Sequence, residues 1–162
     1  MRFILFFLFL VFAYPSVYAE NSTQYYKKGV ESFKSGNMPE AEKNFKLAVE
    51  VNPSYTLGHY GLGRVYLLRR DKVHEAIKQL KKSVKLDSNF ARGWFKLGLA
   101  ELVSGKYIEA LHSFQKAYEK DKTYIEALYN MGVIYDLLGD NYQAFTYYRQ
   151  YYRKLKGEKD LF

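Results

Sequence analysis

A single period governs this chain. Four glycines, Gly29, Gly63, Gly98 and Gly132, recur at spacings of 34, 35 and 34. Four alanines, Ala41, Ala76, Ala110 and Ala144, follow them at offsets of 12, 13, 12 and 12. A large residue stands four positions after each alanine: Phe45, Leu80, Phe114 and Tyr148. Ala48, Ser83 and Ala117 come three further on, and Tyr151 takes that place in the last unit. A repeat of this length is one supersecondary unit that cannot bury its apolar face alone and must stack on its neighbours. Two helices approach closely only where their side chains are small, so the glycine and alanine mark the crossing of an antiparallel pair. The large residue one turn after the alanine falls on the same face and fills the adjacent layer.

Turn signals sit where such pairs need them. Gly36-Asn37, Gly105-Lys106 and Gly139-Asp140-Asn141 fall between the two helices of a unit. Asn37 with Glu40, and Asp140 with Gln143, have the spacing of a capping box. Asn52-Pro53-Ser54 and Asp87-Ser88-Asn89 stop the second helix of their units.

These residues resemble the tetratricopeptide repeat family, whose pattern is W-x2-L-G-x2-Y, then A-x3-F, then P. The third unit carries Trp94-x2-Leu97-Gly98 and Ala110-x3-Phe114. Leu62-Gly63-x2-Tyr66 with Ala76-x3-Leu80, and Met131-Gly132-x2-Tyr135 with Ala144-x3-Tyr148, carry it in the second and fourth. The first has Ala41-x3-Phe45, Ala48 and Pro53. The resemblance implies an all-α fold, a right-handed superhelix (α-solenoid) of four tetratricopeptide-like helix-turn-helix repeats. They span 22–156, as repeats 22–55, 56–90, 91–124 and 125–156, with 157–162 as a short tail. One extra residue between Gly63 and Ala76, and a glycine-free turn at Arg69-Arg70-Asp71-Lys72, predict a longer, protruding connection in the second unit.

The N-terminus reads as an export signal. Met1-Arg2 is a short positive region, Phe3 to Ala13 an unbroken apolar run, and Val17-Tyr18-Ala19 a small-x-small cleavage site. The apolar run is shorter than the ~20 residues that span a bilayer. Residues 1–19 are therefore expected to be a signal peptide cleaved after Ala19, leaving a periplasmic or secreted protein; an uncleaved anchor is the rival. Cleavage removes one Arg and lowers the formal charge from +8 to +7. The chain has no Cys, which rules out disulfides, thiolate metal sites and a Cys nucleophile.

In the family the first helix of each pair lines a concave groove. By position the lining is Tyr26, Val30 and Phe33, then Tyr60, Arg64 and Leu67, then Phe95, Leu99 and Leu102, then Tyr129, Val133 and Asp136. Tyr26, Tyr60, Phe95 and Tyr129 form an aromatic ladder. It has two readings, anchors for a partner's peptide or helix, or rings packed between helices. Val30, Leu99 and Val133 favour a partner, because an apolar groove left open is a liability. Some family members clamp a peptide's terminal carboxylate. Arg92 and Lys96 match that pattern, whereas Tyr26, Val30 and Gly61 replace its remaining members.

Two other surfaces stand out. Phe145, Tyr148, Tyr152 and Leu155 share a face of the last helix, which no further repeat follows, so self-association to a homodimer is one hypothesis. Lys78, Lys81, Lys82 and Lys85, and Arg149, Arg153, Lys154 and Lys156, form basic clusters suited to a solvated convex face or to weak contact with an anionic membrane or wall. Nucleic acid is a poor partner for an exported protein. His59, His74 and His112 show no metal-ligand spacing, and no phosphate loop or nucleophile elbow occurs. The chain is thus expected to bind another protein, as an adaptor or assembly factor, without catalysis, metal or cofactor.

Overall fold

The structure is a computed structural model that describes residues 21–157. The export signal expected at 1–19, and all of the expected tail but Gly157, lie outside the described residues. Eight helices and no strand occur among them: α1 (21–34), α2 (Met38–Val51), α3 (Thr56–Leu67), α4 (Val73–Leu86), α5 (Ala91–Val103), α6 (Tyr107–Lys120), α7 (Glu126–Leu137) and α8 (Asn141–Leu155). Consecutive pairs make four helix-turn-helix repeats, as the period requires.

The small residues stand at the crossings. Ala41, Ala76, Ala110 and Ala144 are buried, as are Phe45, Leu80 and Phe114. A Cβ built on Gly63 would lie 2.5 Å from Leu80, one on Gly98 2.9 Å from Phe114, and one on Gly132 2.6 Å from Tyr148. Such separations are too short for real carbons, so each large residue of a second helix occupies the space that its glycine leaves. The turns behave as their sequences dictate. Gly36, Gly105 and Gly139 adopt φ of 80°, 74° and 79°, a region L-residues avoid. Asn37 Oδ1 accepts from the Glu40 amide at 3.2 Å, and Asp140 Oδ1 from the Gln143 amide at 3.0 Å, capping α2 and α8. The connections between repeats share one device. Asn52, Asp87 and Asp121 each turn the chain through a side-chain oxygen that accepts from the amide two residues on, at 3.0, 2.9 and 2.9 Å.

The glycine-free connection between α3 and α4 forms a 3-10 turn at Arg70–Lys72. It is exposed at residues 68–71 and tied to the first repeat, with Lys72 Nζ 3.2 Å and Arg69 Nη1 3.8 Å from the Glu42 carboxylate.

Helices stack in chain order, α3 on α4, α5 on α6 and α7 on α8 within repeats, and α2 on α3, α4 on α5 and α6 on α7 between them. The first helices α3 and α5 also touch each other directly. On the other side, α4 and α6 part around α5 to leave a cleft of about 610 Å³. The array therefore curves with its first helices inside.

Candidate functional site: a cationic, aromatic inner face

The aromatic ladder divides once its surroundings are known. The Tyr60 side chain is buried, 3% exposed, and meets Phe90 edge-on at 5.0 Å between ring centroids. Tyr26 is half-buried against Phe45 and Tyr55, at 5.6 and 5.8 Å. Phe95 packs on Phe114 and Tyr124, both at 5.5 Å. Tyr129, at the end of the array, is 44% exposed and rests on Tyr148 and Tyr151. Each ladder ring thus packs against neighbouring helices first, and the last one is the most open. Val30, Phe33, Leu67, Leu99, Leu102 and Val133 are intermediate in exposure, and Asp136 is exposed.

A second aromatic series interleaves with the ladder. Tyr55, Phe90 and Tyr124, just ahead of the first helices of repeats two to four, recur at spacings of 35 and 34. They supply the ring partners of Tyr26, Tyr60 and Phe95 in turn. The signal is present in the sequence as a period; its partnership with the ladder needs coordinates.

Cations gather over these rings. The Arg64 guanidinium lies 4.1 Å from the Phe33 ring centroid and 5.5 Å from that of Tyr60. Arg92 Nε donates to the Tyr124 hydroxyl at 3.4 Å, and Lys96 Nζ stands 5.8 Å from the Phe95 centroid. Burial pushes the Tyr60 phenol up to about 12, with the charges of Arg64 and Arg92 acting in the opposite direction. Burial likewise raises Tyr26, again against the pull of both arginines. The Lys96 ammonium is lowered by burial and by repulsion from Arg64. No ion pair among the described residues involves Arg64, Arg92 or Lys96. Three positive charges therefore share the inner face with rings beneath them, unpaired among the described residues.

The missing half of a carboxylate clamp has a steric cause at one position. A Cβ on Gly61 would sit 2.6 Å from the Phe45 ring. The core phenylalanine of the first repeat occupies the space that any side chain at 61 would need.

The histidines play structural roles or lie at the surface. His59 is buried and bridges Gln79 Oε1 at 2.7 Å and the Pro53 carbonyl at 3.0 Å. His74 and His112 are exposed, and His112 meets Trp94 edge-on at 6.1 Å.

Glu101 is a residue that the sequence does not single out. It stands three residues after Gly98, where repeats two and four carry Tyr66 and Tyr135. It is 1% exposed on the cleft wall, accepts from Ser113 Oγ at 2.6 Å and faces Lys81 Nζ at 3.6 Å. Burial raises its carboxyl above the ordinary value, with Ser113 and Lys81 opposing.

On α8 only Ala144 is buried. Phe145, Tyr152 and Leu155 are exposed at 64%, 56% and 57%. Tyr148 departs from the group expected to share that face. It turns into the crossing at Gly132 and donates to Asp136 Oδ2 at 2.6 Å.

Family models described as tetratricopeptide repeat match residues 26–89, 91–124 and 125–153. DnaJ homolog subfamily C member 7 of Mus musculus is 32% identical over 103 residues, covering 59% of this chain and 21% of that protein. The chain thus spans about a fifth of the length of the curated relatives it matches. Among solved structures, MamA superposes with a TM-score of 0.77 at 26% identity, over 85% of this chain and 74% of that one. The first TPR of Spaghetti (RPAP3), bound to the HSP90 peptide SRMEEVD, superposes at 0.71 and 20% identity, over 75% of this chain and 95% of that one.

Proposed function

The chain belongs to the tetratricopeptide repeat family and is a protein–protein interaction module; from that premise we propose that its inner face binds an acidic segment of a partner protein, as an adaptor or assembly factor acting after export. One observation carries this reading: Arg64, Arg92 and Lys96 converge there, and none of them is ion-paired among the described residues. Holding like charges together on a partly buried face is unfavourable until an anion arrives. The rings beneath them supply flat apolar area beside the charges, a combination suited to an extended peptide with alternating acidic and apolar residues. The peptide on the Spaghetti domain, SRMEEVD, has three acids among its seven positions, the same chemistry. The contact set differs here, because Tyr26, Val30 and Gly61 cannot complete a clamp on a chain terminus. The acids recognised are side chains within the segment. Export rests on the n-region, apolar run and cleavage site at residues 1–19.

The test is crosslinked capture from intact cells with the tagged full-length protein, against an Arg64→Glu/Arg92→Glu/Lys96→Glu variant of unchanged helicity. Loss of a partner carrying an acidic segment is expected. Equal capture by both proteins refutes the inner face as the site. Mass analysis of the purified protein reads the export step, since cleavage after Ala19 leaves Glu20 as the first residue.

A further inference from the structure

The outer face of α8 continues a surface that α4 and α6 turn toward the repeat that follows them. Residues one repeat apart can be followed along it. Ile77 and Val84 of α4 are buried beneath the next repeat. Leu111 and Tyr118 of α6, one repeat further on, pack into the core that α7 completes. Phe145 and Tyr152 of α8, a repeat further again, keep the apolar character, yet are 64% and 56% exposed. Tyr142 and Leu155 extend the row at 76% and 57%. Among the described residues no helix packs on this face of α8, which retains the side chains of an interior stacking surface.

The helix itself carries cations and no acid. Arg149 lies in the row itself, between Phe145 and Tyr152, and Lys156 follows at the end of the helix. No Asp or Glu occurs from 141 to 157. A second copy of this chain, docked face to face, would set these cations against their own equivalents. An acidic helix would meet both the row and the charges.

We propose that the outer face of α8 is a docking site for an amphipathic, acid-rimmed helix of another protein, which stacks on Phe145 and Tyr152 as the next first helix of the array would. The site is separate from the cationic inner face, and neither proposal depends on the other.

The probe is a helix-stapled synthetic peptide of about 18 residues, long enough to hold several turns, with a Leu/Ala face and glutamates along both rims. A second peptide has the same face and lysine rims. Binding to the full chain is followed by fluorescence anisotropy at low and at physiological salt. The acidic peptide is expected to bind at least about tenfold more tightly than the lysine peptide, with the difference shrinking as salt rises. Phe145→Glu/Tyr152→Glu should weaken it by a further tenfold or more, as loss of central aromatic contacts does. Both residues are exposed, so the variant keeps its fold, and unchanged helicity verifies this. Loss of binding in Arg64→Glu, with Phe145→Glu/Tyr152→Glu unaffected, places the peptide on the inner face and overturns the proposal. Failure of the acidic peptide to bind, or equal binding of the two peptides, overturns the proposal. So does a dimer in sedimentation that Phe145→Glu dissolves, which makes a second copy the occupant. Binding to phosphatidylglycerol vesicles that the same variant abolishes, without peptide binding, overturns it in favour of a lipid surface.

Discussion

Gly61→Ala should destabilise this protein, although alanine is the better helix former. The added Cβ would lie 2.6 Å from Cδ1 and Cε1 of Phe45 and 2.8 Å from Cγ. That ring is fully buried, and the same edge lies 2.6 Å from where a Cβ on Gly29 would stand. The phenyl group is held between α1 and α3, so a retreat from one helix drives it into the other. Replacing glycine by alanine within a helix gains ~1 kcal/mol of propensity. Overpacking a closed core costs ~1–3 kcal/mol, and a ring confined from two helices belongs at or above the upper end. The net expectation is a loss of ~2 kcal/mol, which at a urea m-value of ~2 kcal/mol/M moves the midpoint down by ~1 M. The assay is urea unfolding followed by circular dichroism, repeated for Phe45→Leu and the double variant. A smaller side chain at 45 relieves the clash, so the double variant should be more stable than the two losses summed, by at least ~1 kcal/mol. A Gly61→Ala midpoint at or above that of the parent, or strict additivity in the cycle, refutes the steric account.

Other outcomes follow from named contacts. Because burial raises the Glu101 carboxyl, the folded state holds that proton more tightly than the unfolded chain does. Its contribution to stability therefore falls as pH rises from the unfolded value through the folded one. Urea midpoints at about pH 4 and about pH 7 should show Glu101→Gln gaining on the parent at the higher pH; an equal gap at both would contradict this. Tyr148→Phe removes the hydrogen bond to Asp136 and should cost ~1 kcal/mol in the same assay, while Gly132 keeps its ring contact. Tyr124→Phe frees Arg92 Nε; if that hydroxyl orients the guanidinium for an anion, acidic-peptide affinity falls with stability unchanged, and an unaltered affinity removes Tyr124 from the site.

Much of this molecule is readable in one dimension. The Gly–Ala–large period locates the crossings. Asn37 and Asp140 mark two helix starts, and the glycine-free stretch at residues 69–72 marks the irregular turn. These features are local, or repeat at fixed intervals, so backbone geometry and helix periodicity suffice to find them. The roles of the aromatics are less legible. Tyr26, Tyr60, Phe95 and Tyr129 occupy equivalent positions, yet Tyr60 is buried and Tyr129 lies open. Burial depends on whether another repeat, with its Phe90 or Tyr124, arrives to cover the ring. Tyr148 has two readings in the sequence, the crossing layer from the repeat and the exposed face of α8 from its spacing, and its contact with Gly132 selects the first. Glu101 shows nothing in sequence beyond a departure from tyrosine; its burial beside Ser113 is set by residues on another helix.

The sequence by itself determined the number of repeats, their register and the residues that recur on each face. Tertiary structure alone decided which recurring residues are core and which are surface, and that Arg64, Arg92 and Lys96, from two repeats, share one face with no ion pair among the described residues. The physical reason is that periodicity fixes directions along a helix, whereas burial and electrostatic potential are sums over neighbours distant in the chain.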